Sequence, residues 1–259
     1  MTVTRYLLTM AGEEVGFSRH NEEGMFRDYN KEVDRLFKSA EPWGLQCIKF
    51  DNDYIFNGPY YPKHKEILDK VSFGFAFRAI EMYETLKLCN DGDIVLFTDS
   101  NHIVQSDPSI YYDIAGKHGA FFHNHLHVDY KNGDWTRTDC LIAMGFNSPR
   151  YWNSLQMQGN IFALRKDEKG MNYAKEFLDF SLNYDCMFGR NIYPNSPTFR
   201  EHRHDQSILS LLREKYEYPY ILRNDNIWLE YVLYEGPEIR NENPPDNLWR
   251  RELDRLENK

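Results

Sequence analysis

The chain has 259 residues and a net charge of −9, from 31 Lys+Arg against 40 Asp+Glu, with 41% hydrophobic and 15% aromatic residues. That length and apolar content suit a folded domain with a sizeable core, and rule out a disordered chain. The acidic balance lacks the positive field needed to hold a nucleic-acid backbone or an anionic membrane, while leaving room for a local basic pocket that takes a small phosphate.

RYLLTM (5–10) reads as a first strand, followed by the loop AGEEVG. Apolar residues at Tyr29, Val33, Leu36 and Phe37 give helical spacing over 26–40, and WGLQCIKF (43–50) reads as a second strand. A polar loop carrying Asp51, Asp53, Gly58 and Pro59 follows. GFAFRAIEMYETLKLC (74–89) reads as a second helix, and DIVLFTD (93–99) as a third strand, apolar on both faces as a central parallel strand must be. Strand–helix–strand–helix–strand order predicts a mostly parallel central sheet flanked by helices, an α/β fold with a Rossmann-like nucleotide-binding half.

Downstream, DPSIYYDIAGKHG (107–119) reads as a helix with Asp107 capping it, Pro108 at its first position and Gly116 near its end. AFFHNHLHV (120–128) alternates like a strand, and RTDCLIAMGF (137–146) reads as a helix. SLQMQGNIFALRK (154–166) ends in a strand, MNYAKEFLDFSLNY (171–184) is an amphipathic helix, and HDQSILSLLREKY (204–216) opens another after a long irregular segment. No composition shift marks a linker. One domain is expected over 1–235, with a polar peripheral tail over 236–259.

Cys47, Cys89, Cys140 and Cys186 are scattered without a CxxC pair, which predicts free thiols in a reducing compartment. The N-terminal apolar run is short for a signal peptide, and no run approaches the about 20 apolar residues of a membrane helix. A cytoplasmic protein is the expectation.

In a parallel α/β sheet, ligands sit beyond the carboxyl ends of the strands. The third strand delivers Asp99 to that edge, and His102 follows three residues later. A carboxylate and an imidazole aimed at one point suit Mn²⁺, or Mg²⁺, and such an ion neutralises a diphosphate leaving group. The same two residues also suit a turn cap and a solvated imidazole.

The element order, with VLFTDSNHI (95–103) at the end of the third strand, resembles glycosyltransferases of the GT-A fold. The likeness is to bacterial capsular-polysaccharide and large-DNA-virus glycosyltransferases, and more weakly to the domains that glycosylate collagen lysines, whose strand reads VLFxDxxDV. Asp99 matches the first motif aspartate. His102 stands where the second would be, and Asn101 where a DxD motif would place it, so this chain departs from the pattern.

The resemblance implies a nucleotide-diphosphate sugar donor, a glycan acceptor and a divalent ion. It places the nucleotide at Thr9, Ala11 and Gly12 and near Asp51. It places Lys70 and Arg78 where a base meets phosphate or sugar, and Thr98, Asp99 and Ser100 at the donor. Gln158, Gly159 and Asn160 form the amide–Gly step under the sugar. In FREHRHDQSILSLL (199–212), Asp205 becomes the catalytic residue, as general base in an inverting enzyme or acceptor-orienting group in a retaining one, beside His204 and Gln206. Arg200, His202 and Arg203 add positive charge nearby.

Two rival readings stand beside this one. HNHLH (123–127) puts His123, His125 and His127 on one strand face, which suggests a zinc hydrolase. Alternate residues on a strand lie about 6.6–7 Å apart, however, so the outer two cannot share an ion. The second rival is a non-catalytic glycan-binding protein of the same fold. The absence of GxGxxG, GxxxxGK[ST] and GxSxG argues against dinucleotide, P-loop and α/β-hydrolase readings.

Overall fold

The computed structural model describes residues 3–10, 13–14, 27–70, 75–124, 130–222 and 233–235. The expected tail, 236–259, lies outside the described residues, as do Ala11, Gly12, Phe73, His125 and His127.

Five strands form the central sheet: β1 (Arg5–Met10), β2 (Gln46–Phe50), β3 (Ile94–Thr98), β4 (Ala120–Phe121) and β5 (Ile161–Arg165), in the order β2-β1-β3-β5-β4. β1 pairs in parallel with both β2 and β3, while β5 runs antiparallel between β3 and β4. Four of the five strands therefore point one way, and the sheet is mostly parallel. Leu8 lies opposite Ile48 on one side and Phe97 on the other, and Phe97 lies opposite Phe162.

Every residue of β3 is buried. Its alternation divides the core. Val95 and Phe97 pack on one face with Leu8 and with residues of α2 (Phe77–Leu88), α4 (Glu168–Ser181) and α5 (Asp205–Lys215). Ile94 and Leu96 pack on the other face with Leu7 and with residues of α1 (Tyr29–Ala40) and α3 (Ser109–His118). Burying one such aliphatic or aromatic side chain contributes about 1.5–3 kcal/mol, so two covered faces hold β3 at the centre. In α1 the buried residues Val33, Leu36 and Ala40 recur at the three- and four-residue spacing the sequence shows.

The chain leaves β1 through α1 to β2 on one side, then crosses back through α2 to β3 on the other. The strand order reverses there, so the ends of β1 and β3 flank a topological switch point, the place where open α/β sheets open a crevice for ligands. Asp99 follows β3 directly at that end of the sheet.

Three expectations change. The region after β2 is helical at Asn52–Asn57 and Tyr61–Leu68 rather than a plain loop, because Asp51 Oδ1 accepts the Tyr54 N–H and Ile55, Ile67 and Leu68 find core positions. α3 ends at Gly119, whose φ of 88° suits glycine, rather than at Gly116. Pro108 occupies the position before the first turn, where Asp107 Oδ1 accepts the Ser109 N–H at 2.9 Å. The four cysteines are free thiols. Among the described residues no helix is long and apolar enough to cross a membrane.

Candidate active site

Arg78 lies in the first turn of α2, the helix that crosses to β3, and is 7% exposed. Its Nη1 donates to Asp205 Oδ2 at 2.8 Å, and its Nη2 donates to Asp99 Oδ1 at 2.9 Å and Oδ2 at 3.2 Å. One guanidinium thus joins the aspartate after β3 to the aspartate that opens α5. Phe75, Phe77 and Phe97 surround it, with ring centroids 4.7, 5.3 and 5.7 Å from the guanidinium carbon. Such a lining fixes the planar fork and lowers the local dielectric, which strengthens both ion pairs.

Asp205 is 1% exposed. Burial pushes its carboxyl up to about 6, with the Arg78 charge and hydrogen bond opposing the rise. Arg78 favours its ionised form against that burial.

The Gln158–Gly159–Asn160 step lies against the same centre. The Asn160 carbonyl accepts the Asp99 N–H at 3.0 Å, and the Gln158 N–H donates to the His123 carbonyl at 2.9 Å. A Cβ on Gly159 would lie 3.3 Å from Gln206 Cβ and 3.6 Å from Arg78 Nη1, so glycine permits this close approach. Asn160 Oδ1, Gln206 Nε2 and Arg78 Nε are buried without hydrogen-bond partners. Unspent polar groups around one cation suit a hydroxyl-rich, anionic ligand.

His102 does not join Asp99. Its Nδ1 lies 2.8 Å from Thr98 Oγ1 and 3.1 Å from the Asp99 carbonyl. Strand alternation places Thr98 with Leu96 on the α1–α3 face, while the Asp99 carboxylate turns to Arg78 on the α2 face. Among the described residues no three His, Cys, Asp or Glu side chains converge. The expected Asp99–His102 ion site therefore does not fit this arrangement: the two candidate ligands point to opposite faces, and Asp99 already holds a fixed cation.

The remaining candidates scatter. Thr9 is buried at the end of β1 on the face opposite Arg78. Asp51 caps Asn52–Asn57. Lys70 is exposed, and Ser100 is buried in the turn after β3. His204 holds the peptide before Asp205 instead of facing a ligand: its Nδ1 donates to the Met187 carbonyl at 2.6 Å, and its φ of 50° is unusual for a residue with a side chain. His202 accepts the Arg137 N–H at Nδ1 and donates from Nε2 to the Cys186 carbonyl. Burial, helped by His204, pushes His202 down to about 3, so it is a neutral anchor. His123 is buried beside Phe121, with ring centroids 6.0 Å apart and planes tilted by 36°.

No protein-family model matches the chain, and no curated protein matches it. Among solved structures it is similar to mouse xyloside xylosyltransferase 1, with 9% identity and a TM-score of 0.48, covering 94% of this chain and 99% of that one. It is similar to the bifunctional glycosyltransferase WbbM, with 10% identity and a TM-score of 0.44, covering 82% of this chain and 38% of that one. It is also similar to the glycosyltransferase GlyE of Streptococcus pneumoniae TIGR4, with 14% identity and a TM-score of 0.38, covering 84% of this chain and 45% of that one. The chain thus spans less than half the length of the last two.

Glu81 belongs to this centre and carries no sequence motif. It is 0% exposed, and both its carboxylate oxygens lack hydrogen-bond partners. Burial raises its pKa well above the ordinary value, against the pull of the Arg78 charge. Only its place one turn beyond Arg78 on α2 could have drawn notice, since residues three apart share a helix face.

Proposed function

We propose that the chain is a glycosyltransferase that moves a sugar from a UDP- or GDP-linked donor to a hydroxyl of a glycan acceptor. The observation that carries this reading is the union of Arg78 with Asp99 and Asp205 at the switch point, with Gly159 and Gln206 packed against it. Three motifs far apart in sequence meet around one buried cation.

In this reading the donor diphosphate lies at Arg78, whose planar fork matches phosphate oxygens. Asn160 Oδ1 and Gln206 Nε2, unpartnered in the structure, hydrogen-bond sugar hydroxyls. Gly159 leaves room for the sugar ring. A bond forms between the anomeric carbon and the acceptor oxygen, and the bond from that carbon to the diphosphate oxygen breaks. The leaving diphosphate carries the released electron pair, and Arg78 meets its charge. Asp205 takes the acceptor hydroxyl proton if the enzyme inverts, and orients that hydroxyl if it retains. Charge neutralisation is assigned to Arg78, not to an ion shared by Asp99 and His102.

The test follows donor consumption by NMR with a panel of UDP- and GDP-sugars and no acceptor. Slow release of nucleotide and free sugar from at least one donor, lost in Asp205→Asn and in Arg78→Met, is expected. A chain that consumes none of them, or an Asp205→Asn variant with undiminished turnover, contradicts the reading.

A further inference from the structure

Residues 188–204 form a strap without regular structure that runs into α5. Long loops of this kind inside a compact domain are usually functional. The strap is bonded along its length. The Asp139 carboxylate accepts the N–H groups of Asn191, Ile192 and Tyr193 at 2.7, 3.2 and 3.2 Å. The Arg200 N–H donates to the Asp134 carbonyl at 2.7 Å. At the first turn of α5, the Trp135 carbonyl accepts both the Arg203 N–H at 3.1 Å and the Ser207 hydroxyl at 2.7 Å. Trp135 is thereby fixed beside the turn that carries Asp205.

Arg200 is exposed on this strap. Its guanidinium carbon lies 5.9 Å from the centroid of Tyr130 and 5.6 Å from that of Trp135. The two rings touch at a tilt of 34°, with centroids 4.6 Å apart. The other arginines of the strap hold acids, Arg190 pairing with Asp185 and Arg203 with Glu201, each at 2.7 Å, and they too lie over rings, Arg190 4.9 Å from the centroid of Tyr184 and Arg203 4.5 Å from that of Trp135. Arg200 meets the two rings and makes no ion pair among the described residues. An exposed arginine usually loses side-chain freedom when it binds an anion. Here contact with the two rings restricts the side chain, so part of that loss is met before any ligand arrives.

We propose that Arg200, lying over Tyr130 and Trp135, is an acceptor subsite that selects a glycan bearing an anionic group. The proposal rests on the glycosyltransferase reading, with the reacting hydroxyl at Asp205. Five residues separate Arg200 from Asp205, a span of at most about 18 Å, which a short oligosaccharide covers. The shared chemistry is a carboxylate or phosphate oxygen pair facing a guanidinium fork. In a chain of net charge −9, a cation with no ion pair among the described residues also favours an anionic glycan over a neutral one.

The experiment measures binding by titration calorimetry with three probes: a short uronate-containing oligosaccharide, its carboxyl-reduced neutral counterpart, and the neutral oligosaccharide carrying a phosphate. The unmodified chain should bind one of the charged probes about tenfold more tightly than the neutral one, and which one identifies the anion. Arg200→Ala should remove that preference without lowering the melting temperature, and Arg200→Lys should keep part of it. Equal binding of all three probes, no binding of any, or a preference that survives Arg200→Ala overturns the proposal. Donor consumption by the unmodified chain without acceptor is followed in parallel. Its failure removes the glycosyltransferase reading itself, whereas donor consumption without an anion preference removes the Arg200 subsite alone.

Discussion

Arg78 and Asp205 stand 127 residues apart in the chain and meet through a 2.8 Å ion pair with both side chains buried. The same guanidinium holds Asp99 through its other nitrogen. This bridge ties α2, the end of β3 and the start of α5 into one centre.

Removing Arg78 should cost both stability and function. Leaving a buried carboxylate without its partner typically costs about 3–5 kcal/mol. For Arg78→Met this corresponds to a melting temperature roughly 10 °C lower in a domain of this size. Without Arg78, Asp205 favours its neutral form even more, so the deficit should be larger at pH 8 than at pH 5.5. Melting curves at the two pH values check this. An equal deficit at both would mean that Asp205 is not the carboxylate being held.

Asp205 should also impose a pH limit on turnover. Burial sets its folded value near 6, and only the ionised carboxylate accepts a proton. The rate should fall about tenfold per pH unit below that value and level off above it. The stability sign runs the other way. Because the folded value lies above the ordinary 3.8, Asp205 contributes stability below 3.8 and loses it as pH rises through about 6. A rate profile flat from pH 5 to 7.5 in the unmodified chain would count against Asp205 as the base.

Gly159→Ala tests the close approach at the sugar step. The added Cβ would press on Gln206 at 3.3 Å, so Gln206 must shift by a few tenths of an ångström, while Arg78 at 3.6 Å comes into ordinary contact. Turnover should drop about ten- to a hundredfold, because small misplacements at a reacting centre are costly. The melting temperature should change little by comparison. A large loss of stability with unchanged turnover of the folded fraction would make Gly159 a packing residue only.

His102→Asn separates the two faces of β3. The variant loses the contact with Thr98, worth about 1 kcal/mol. Any melting shift produced by Mn²⁺ together with a nucleotide sugar should be the same as in the unmodified chain. Loss of that shift in His102→Asn alone would restore His102 as an ion ligand.

Much of this centre could be read before the structure. The apolar run Ile94–Phe97 announces a central strand, and Asp99 at its end announces the ligand edge. The structure brings the Gln158–Gly159–Asn160 step and Asp205, which the sequence singled out, beside Arg78 and Asp99. The role of His102 was not legible, because the motif aligns positions in sequence while the turn after β3 sends alternate side chains to opposite faces. The short helices after β2 were hidden by their Gly, Pro and Asp content, since their stability comes from burying Ile55, Ile67 and Leu68 in a core that no local window shows. Glu81 was hidden for a similar reason: Asp99 and Asp51, which act on it beside Arg78 of its own helix, come from separate segments.

The central claim is that this switch point takes a nucleotide sugar through Arg78. The most direct measurement is a thermal-shift panel of UDP- and GDP-sugars, each with Mn²⁺ and with EDTA, on the unmodified chain and on Arg78→Met. The account predicts a rise of several degrees with donors of one base, present in EDTA and absent in Arg78→Met; ligand at about a hundred times its Kd stabilises by about 2.7 kcal/mol. No shift with any donor, or an undiminished shift in Arg78→Met, would contradict it.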